Sequence, residues 1–269
     1  MHPELFHLGP FVIRFYGVLL AISFILGTLW SIQRAKKQGI KSKLVMDLTI
    51  VIFISSLLGA RFFYVIFHLE EFKENWIDVI SPIQSSGDLG IGGLSLLGGV
   101  LLAIVSGIFF LRIKQESVWK FADVITPAFP LGIVITRIGC FLNGCCFGKP
   151  HEGSLGIVFP DNCPAGYTFP GLPLYPTQLF SSLKGLSVLA ILLLLERYKK
   201  FDGFTFWVMV ILFAIGRIII DFYRYYESSM VLATIGNVSI SVNQGVLVGL
   251  IIVAIFMLFY LKHRASRLG

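Results

Sequence analysis

The 269-residue chain is 56% hydrophobic and only 14% charged, with a mean hydropathy of +0.83. Water-soluble domains run near half apolar and about a quarter charged, so this composition requires lipid and excludes a pair of soluble domains. The net charge of +7 does not mark a nucleic-acid surface, because the basic residues fall in short clusters between apolar runs and form no stripe.

A spanning helix needs about 20 mostly apolar residues. Seven runs qualify, at 11–33, 45–68, 90–112, 121–142, 176–196, 203–222 and 241–261. They predict an all-α membrane protein, a single polytopic domain over 1–269 built as a bundle of seven transmembrane helices. The first run lacks a basic leader and ends in Arg34, Lys36 and Lys37, not in a small-residue cleavage site. It is expected to stay as a helix. After the second run, residues 69–89 carry Glu70, Glu71, Trp76 and Ile77 in an amphipathic pattern suited to the interface. The third run is glycine-rich, and Gly98-Gly99 is expected to permit close helix packing more than ligand contact. The fourth contains Pro127 and Pro130, which membrane helices tolerate. Residues 148–175, rich in Pro and Gly, are expected to form an ordered loop or small cap.

The junctions set direction. Arg34, Lys36, Lys37, Lys41 and Lys43 follow the first run. Arg112, Lys114 and Lys120 precede the fourth, Arg197, Lys199 and Lys200 precede the sixth, and Lys262, Arg264 and Arg267 follow the seventh. With seven spans all four clusters share one side. The positive-inside rule therefore puts the N-terminus outside, the C-terminus in the cytoplasm, and segments 69–89 and 148–175 on the outer face.

Charged residues remain within the runs or at their ends: Arg14, Arg61, Asp123, Arg137, Lys184, Arg217 and Asp221. Each costs a few kcal/mol at the bilayer centre, so such residues usually face a polar interior. Ion pairing or snorkelling would account for any one of them. This many, mostly arginines near the outer ends, point elsewhere. A guanidinium fork binds phosphate with paired hydrogen bonds and keeps its charge when partly desolvated. Arg217 and Asp221, four apart on one helix, can pair and orient that fork. The residues thus predict a phospholipid head-group site in the outer leaflet, without choosing among enzyme, transporter and lipid sensor.

The stretch from Arg137 to Gly148, R-I-G-C-F-L-N-G-C-C-F-G, resembles the signature of the bacterial prolipoprotein diacylglyceryl transferase family. Other segments agree in order: Ile13-Arg14-Phe15-Tyr16-Gly17, Gly59-Ala60-Arg61 with Tyr64, Tyr175-Pro176-Thr177-Gln178-Leu179-Phe180, Gly216-Arg217 with Asp221, and Gln244. The resemblance implies transfer of the diacylglyceryl group of phosphatidylglycerol to the lipobox cysteine of a prolipoprotein signal peptide. It implies a multi-pass protein of the bacterial cytoplasmic membrane, with membrane lipid as partner, no nucleic acid, and no metal or organic cofactor. Catalytic roles fall on Arg137, for the lipid phosphate, and Arg217, for the leaving group or thiol. Substrate-binding roles fall on Tyr16, Arg61, Gly139, Asn143, Gly148, Gln178 and Asp221.

The chain also departs from that family's pattern. Leu97 stands where members usually have the histidine of an H-G-G segment. Cys140 and Cys145 replace the signature's first Asn and its Glu, and Ser181 replaces a Glu. These changes leave open a paralogue with altered or lost catalysis that binds anionic phospholipid. For Cys140, Cys145, Cys146 and Cys163 three readings stand: a disulfide from Cys145 or Cys146 to Cys163, a metal site, or direct thiol chemistry.

Overall fold

The computed structural model describes residues 4–8, 11–73, 75–79, 81, 93–226, 231–235 and 238–268. A short hairpin of β1 (Glu4–Leu8) and β2 (Phe11–Arg14) leads directly into α1 (Phe15–Lys37). The first helix therefore starts four residues later than its apolar run. It ends where Gly39, at φ +74°, lets the amide of Ile40 return to the carbonyl of Ala35, a turn that glycine enters without steric cost. Then come α2 (Ser42–Phe67), the one-turn α3 (Leu69–Phe72) and a 3₁₀ turn at Trp76–Val79. The remainder of the expected interfacial segment, at 74, 80 and 82–89, lies outside the described residues.

The third run becomes α4 (Leu96–Ile113), started by Ser95, whose side chain accepts from the Gly98 amide. The fourth is not one continuous helix: α5 (Val118–Ile125) stops and α6 (Ala128–Leu142) restarts at Pro127, which lacks an N–H and clashes with the preceding turn. The cap that follows holds β3 (Ile157–Val158), α7 (Pro164–Thr168) and β4 (Pro173–Leu174), with β3 and β4 antiparallel. Next are α8 (Thr177–Leu195) and α9 (Phe204–Asp221). The hairpin β5 (Val231–Ile235) and β6 (Val238–Ser241) precedes α10 (Val242–Leu268).

Seven segments of the described residues are long and apolar enough to cross a membrane, counting Val118–Leu142 as one. Their apolar side chains are not sequestered in the protein: in α2 only 6% of the most apolar window is buried, and Leu58, Phe109, Leu183 and Ile252 are exposed. Such surfaces need a second apolar solvent, the bilayer.

Two compact units are present, Met1–Ser31 with Ala122–Gly269, and Ile32–Phe121. In the second unit α2 packs on α4 backbone to backbone. A Cβ on Gly59 would lie 2.5 Å from the Gly98 carbonyl oxygen, and one on Gly98 would lie 2.3 Å from that of Gly59. Close packing is therefore the work of Gly98, as expected, and Ser55 and Ser106 add a 2.6 Å hydrogen bond between the helices. In the first unit α8 packs against both α6 and α9, and α9 against α10. Asp123 is buried and caps the start of α9. It accepts from the amides of Gly203 (2.8 Å) and Phe206 (2.9 Å) and pairs with Lys199 at 3.0 Å, a negative charge at the positive end of a helix dipole.

Candidate functional site

All the site geometry that follows lies within the first unit, at the C-terminal ends of α6 and α9. Here α6 gives way to the loop 143–148, and local constraints fix that loop. Gly144 (φ +66°) and Cys146 (φ +62°) both adopt left-handed backbone. Glycine is needed at 144 because a Cβ there would lie 2.3 Å from the Cys163 sulfur of the cap. Cysteine has no such licence, and its conformation costs about 1 kcal/mol. Two polar groups at the start of α8 hold the loop's carbonyls: Thr177 Oγ1 donates to Cys146 O and Gln178 Nε2 to Cys145 O, both at 2.8 Å. Gln178 is fully buried, and no donor among the described residues reaches its Oε1. At Gly148 three strands of backbone meet. Its amide donates to Tyr175 O, and a Cβ would lie 2.7 Å from both Tyr175 O and Tyr223 O.

The four cysteines are free thiols. Cys163 does not bond Cys145 or Cys146; its thiol donates to Pro160 O at 3.1 Å within the cap core of Phe159, Ala165 and Leu174. Of the three readings of the cysteines, the loop-to-cap disulfide is not formed, and Cys163 packs on Gly144 instead. The sulfurs of Cys140, Cys145 and Cys146 instead lie within 4.8 Å of one another. Cys146 is held below its ordinary thiol pKa by hydrogen bonds from the Cys140 and Cys145 thiols, and the fields of Arg224 and Arg137 act in the same sense.

At the end of α9, Arg217 Nε pairs with Asp221 Oδ1 at 3.0 Å, across one helical turn. Arg217 Nη2 donates to the Tyr226 hydroxyl, which donates to Asp221 Oδ1, both at 2.8 Å. Asn243 Nδ2 donates to Asp221 Oδ2 at 2.6 Å. Asn243 is aimed by a capping box at the start of α10: the Ser241 amide donates to Gln244 Oε1 and the Gln244 amide to Ser241 Oγ, satisfying two orphan helix donors reciprocally. A buried carboxylate with this many donors is stable without water, and it fixes one edge of the Arg217 fork.

Arg137 is different. It is half-buried near the end of α6, and its only polar contact among the described residues is Nη1 to Cys140 Sγ at 4.0 Å. No carboxylate among the described residues pairs with it. Lys184 of α8 lies within electrostatic reach of both Arg137 and Arg217. Its stem covers Gly216, where a Cβ would lie 2.7 Å from Lys184 Cγ and Cδ, and its ammonium sits 3.8 Å from the centre of the Phe213 ring. Beside this group opens a cavity of about 300 Å³ lined by Lys149, Asp221, Arg224, Tyr225, Tyr226 and Ser241. Among the described residues here Arg137, Lys184, Arg217, Lys149 and Arg224 gather about the Asp221 carboxylate.

Of the residues singled out in the sequence, Arg137, Gly139, Tyr16, Asn143, Gly148, Gln178, Arg217 and Asp221 fall in this region. Gly139 serves helix approach, since a Cβ there would lie 3.2 Å from Tyr16 Cα. Tyr16 itself lies within the fields of Arg137 and the three clustered cysteines, and Asn143 follows the last residue of α6 as its C-cap, with its backbone amide bonded to Gly139 O. Arg61 belongs to the other unit and is engaged there. Its Nε donates to Val79 O at 2.9 Å, Nη1 to Gly93 O at 3.1 Å and Nη2 to Asp78 O, and its guanidinium lies 5.0 Å from the centre of the Phe72 ring. Leu97 is exposed on α4 of that unit. Sequence reasoning noted Lys184 only as a charge in a span and gave no site role to Arg224, Tyr226 or Asn243. Tyr226 follows the end of α9 by five residues, outside any helical periodicity. Asn243, by contrast, could have been inferred from the capping-box pattern of Ser241 and Gln244.

Seven segments long and apolar enough to cross a membrane, with Arg137, Arg217 and a thiol cluster near the ends of two of them, define a multi-pass membrane protein. Residues 3–260 match the prolipoprotein diacylglyceryl transferase family, and the chain belongs to that family. Among its relatives, the protein named phosphatidylglycerol–prolipoprotein diacylglyceryl transferase from Clostridium botulinum (strain Loch Maree / Type A3) is 29% identical over 267 residues, 99% of this chain and 100% of its own length. A counterpart of the same name from C. botulinum (strain Langeland / NCTC 10281 / Type F) is 30% identical over the same shares. One from Prochlorococcus marinus (strain NATL2A) is 34% identical over 202 residues, 72% of this chain and 67% of that protein.

Proposed function

We propose that this chain transfers the diacylglyceryl group of phosphatidylglycerol to the thiol of a lipobox cysteine in a prolipoprotein signal peptide. The observation that carries the reading is Arg137, a half-buried guanidinium in a membrane span with no carboxylate partner among the described residues. A phospholipid phosphate supplies the missing charge and matches the fork with paired hydrogen bonds. In the reaction the acceptor sulfur forms a bond to the glycerol carbon that bears the phosphate. The carbon–oxygen bond breaks, glycerol phosphate leaves with the electron pair, and the thiol proton passes to solvent or the phosphate. Charge grows on the departing phosphate, where Arg137, Lys184 and the open edge of Arg217 stabilise it. Tyr16 and the basic cavity serve substrate binding, whereas Asn143, Gly148 and Gln178 act by positioning the loop. Arg61 supports its own unit through backbone carbonyls.

The reading places the protein in the bacterial cytoplasmic membrane with its N-terminus outside and C-terminus in the cytoplasm. The Asp123 end of α9, next to Lys199 and Lys200, is then the inner end, and the arginine site lies at outer-leaflet depth. A second reading has a specific observation behind it: Leu97, Cys140 and Cys145 stand in place of the family's usual His, Asn and Glu. On that reading the chain binds anionic phospholipid without transfer.

One assay separates the two. Purified protein is incubated with phosphatidylglycerol vesicles and a lipobox peptide, and the thioether-linked product and released glycerol phosphate are measured by mass spectrometry. Product that disappears in Arg137→Ala is the expected outcome. Intact lipid binding with no product removes the transferase reading and leaves the second; a rise in turnover in Leu97→His assigns any weakness of the parent to that position.

A further inference from the structure

We propose that Cys140, Cys145 and Cys146 bind one soft d¹⁰ cation, Cu(I), in a three-coordinate all-thiolate site at the end of α6. The proposal does not rest on lipid transfer and stands whichever reading of the function holds.

The three residues come from two places, the end of α6 and the loop that follows it. Cys140 is the last buried position of α6, one turn after Arg137. Cys145 and Cys146 follow the left-handed Gly144, and their carbonyls are tied down by Gln178 and Thr177. The loop is therefore anchored on its backbone side, which leaves the sulfurs as its inward-facing groups. Cys145 Sγ lies 3.7 Å from Cys140 O, and all three sulfurs lie within 4.8 Å of each other.

That spacing is the geometric argument. Metal–sulfur bonds of about 2.3 Å set in a trigonal plane separate the sulfurs by about 4.0 Å. Closing the three sulfurs on an ion thus needs shifts within reach of thiol rotamers. The left-handed Cys146 backbone supports the same conclusion, since strain of this kind persists where surrounding structure over-determines it, commonly at ligand clamps.

The donor set chooses the ion. It is all sulfur, and among the described residues no histidine or carboxylate completes the group. Zinc in a structural site takes four ligands in a tetrahedron, whereas Cu(I) is selected by soft thiolates and is satisfied by three in a plane. On binding, three sulfur–copper bonds form and the thiol protons are released to solvent; no electron is transferred. Cys163, against Gly144 and directed to Pro160 O, stands outside the set.

The test uses the full chain, reduced and in detergent under nitrogen, titrated with Cu(I) against a colorimetric Cu(I) chelator. Expected are one equivalent of copper per chain, a sulfur-to-copper charge-transfer band in the near ultraviolet, and only sulfur neighbours at about 2.3 Å in X-ray absorption. Cys140→Ser, Cys145→Ser and Cys146→Ser should each weaken binding by about 100-fold or more, and Cys163→Ser should leave it unchanged. Stoichiometry and spectrum are read on the parent, so a variant that fails to fold does not remove the test. The proposal is overturned if the parent binds no more copper than the variant with all three cysteines changed to serine. It is equally overturned if two of the three thiols are recovered as a disulfide under these conditions, or if Zn(II) displaces Cu(I) and brings a nitrogen or oxygen ligand.

Discussion

Arg61 and Arg137 are both arginines inside apolar runs, yet the two regions treat them in opposite ways. Around Arg61 the chain folds back so that three backbone carbonyls and an aromatic ring surround the guanidinium. Around Arg137 the neighbours are thiols and a lysine, and no carboxylate among the described residues pairs with it. Arg217 stands between these cases, one edge fixed by Asp221 and Tyr226. The difference teaches that a charge in a span is structural when the protein supplies its counter-groups and ligand-seeking when it does not.

The intermediate case is the most fragile. Asp221 is the carboxylate that offsets Arg217, and its side chain is fully buried. Asp221→Ala leaves an uncompensated cation among Lys184 and Arg137, and destabilisation of about 3–5 kcal/mol is expected. It is read as a lower thermal midpoint in detergent. If the midpoint does not move, Arg217 already has another anion and the graded picture of the three arginines fails.

Next in size is Arg137→Ala. On the proposed role at the leaving group, the rate of lipid transfer should fall by about 100- to 1,000-fold while the thermal midpoint stays put, because only the long contact to Cys140 Sγ is lost. Arg137→Lys should recover only part of the rate, since an ammonium cannot make the paired contact. A variant that melts early instead would place Arg137 with the structural arginines. Arg61→Ala is the mirror image. Loss of charge-donated hydrogen bonds to Val79, Gly93 and Asp78 carbonyls should cost about 2 kcal/mol, and activity should fall no further than the folded fraction does. A large rate loss with full stability would return Arg61 to the substrate.

Much of this was legible in the sequence, for a physical reason. Apolar run length reports membrane crossing directly, so the seven spans were readable, as was the role of Gly98, whose small size allows the crossing on Gly59. The span ends were less so: Pro127 divides the fourth run and the hairpin before Phe15 shortens the first, both local backbone effects that composition averages away. Arg137, Arg217 and Asp221 were visible as misplaced charges, and the pairing of the last two follows from a spacing of four. That Arg61 and Arg137 differ was not visible, because carbonyl partners from Asp78, Val79 and Gly93 leave no mark on residue type. The thiol cluster was hidden for a similar reason. A C-x-x-x-x-C-C spacing does not show that Gly144 and Cys146 turn left-handed and fold the loop back toward Cys140.

The smallest effect concerns Tyr226, which lies beyond the end of α9. Burial holds its phenol above the ordinary value; Arg217 pulls the other way without reversing this, and the bond donated to Asp221 adds to it. A group whose folded pKa is raised contributes stability that is complete below its unfolded value of about 10 and is lost as pH climbs through the folded value. Tyr226→Phe removes both the hydrogen bonds and the titration, so the parent should be more stable by about 1 kcal/mol at neutral pH. The gap between the two thermal midpoints should stay constant from about pH 7 to about pH 9 and narrow above about pH 10. The parent then loses stability through a group that the variant lacks. A gap that stays constant through that limb would mean that Tyr226 does not keep its proton for Asp221, and that Arg217 and Asp221 hold each other without it.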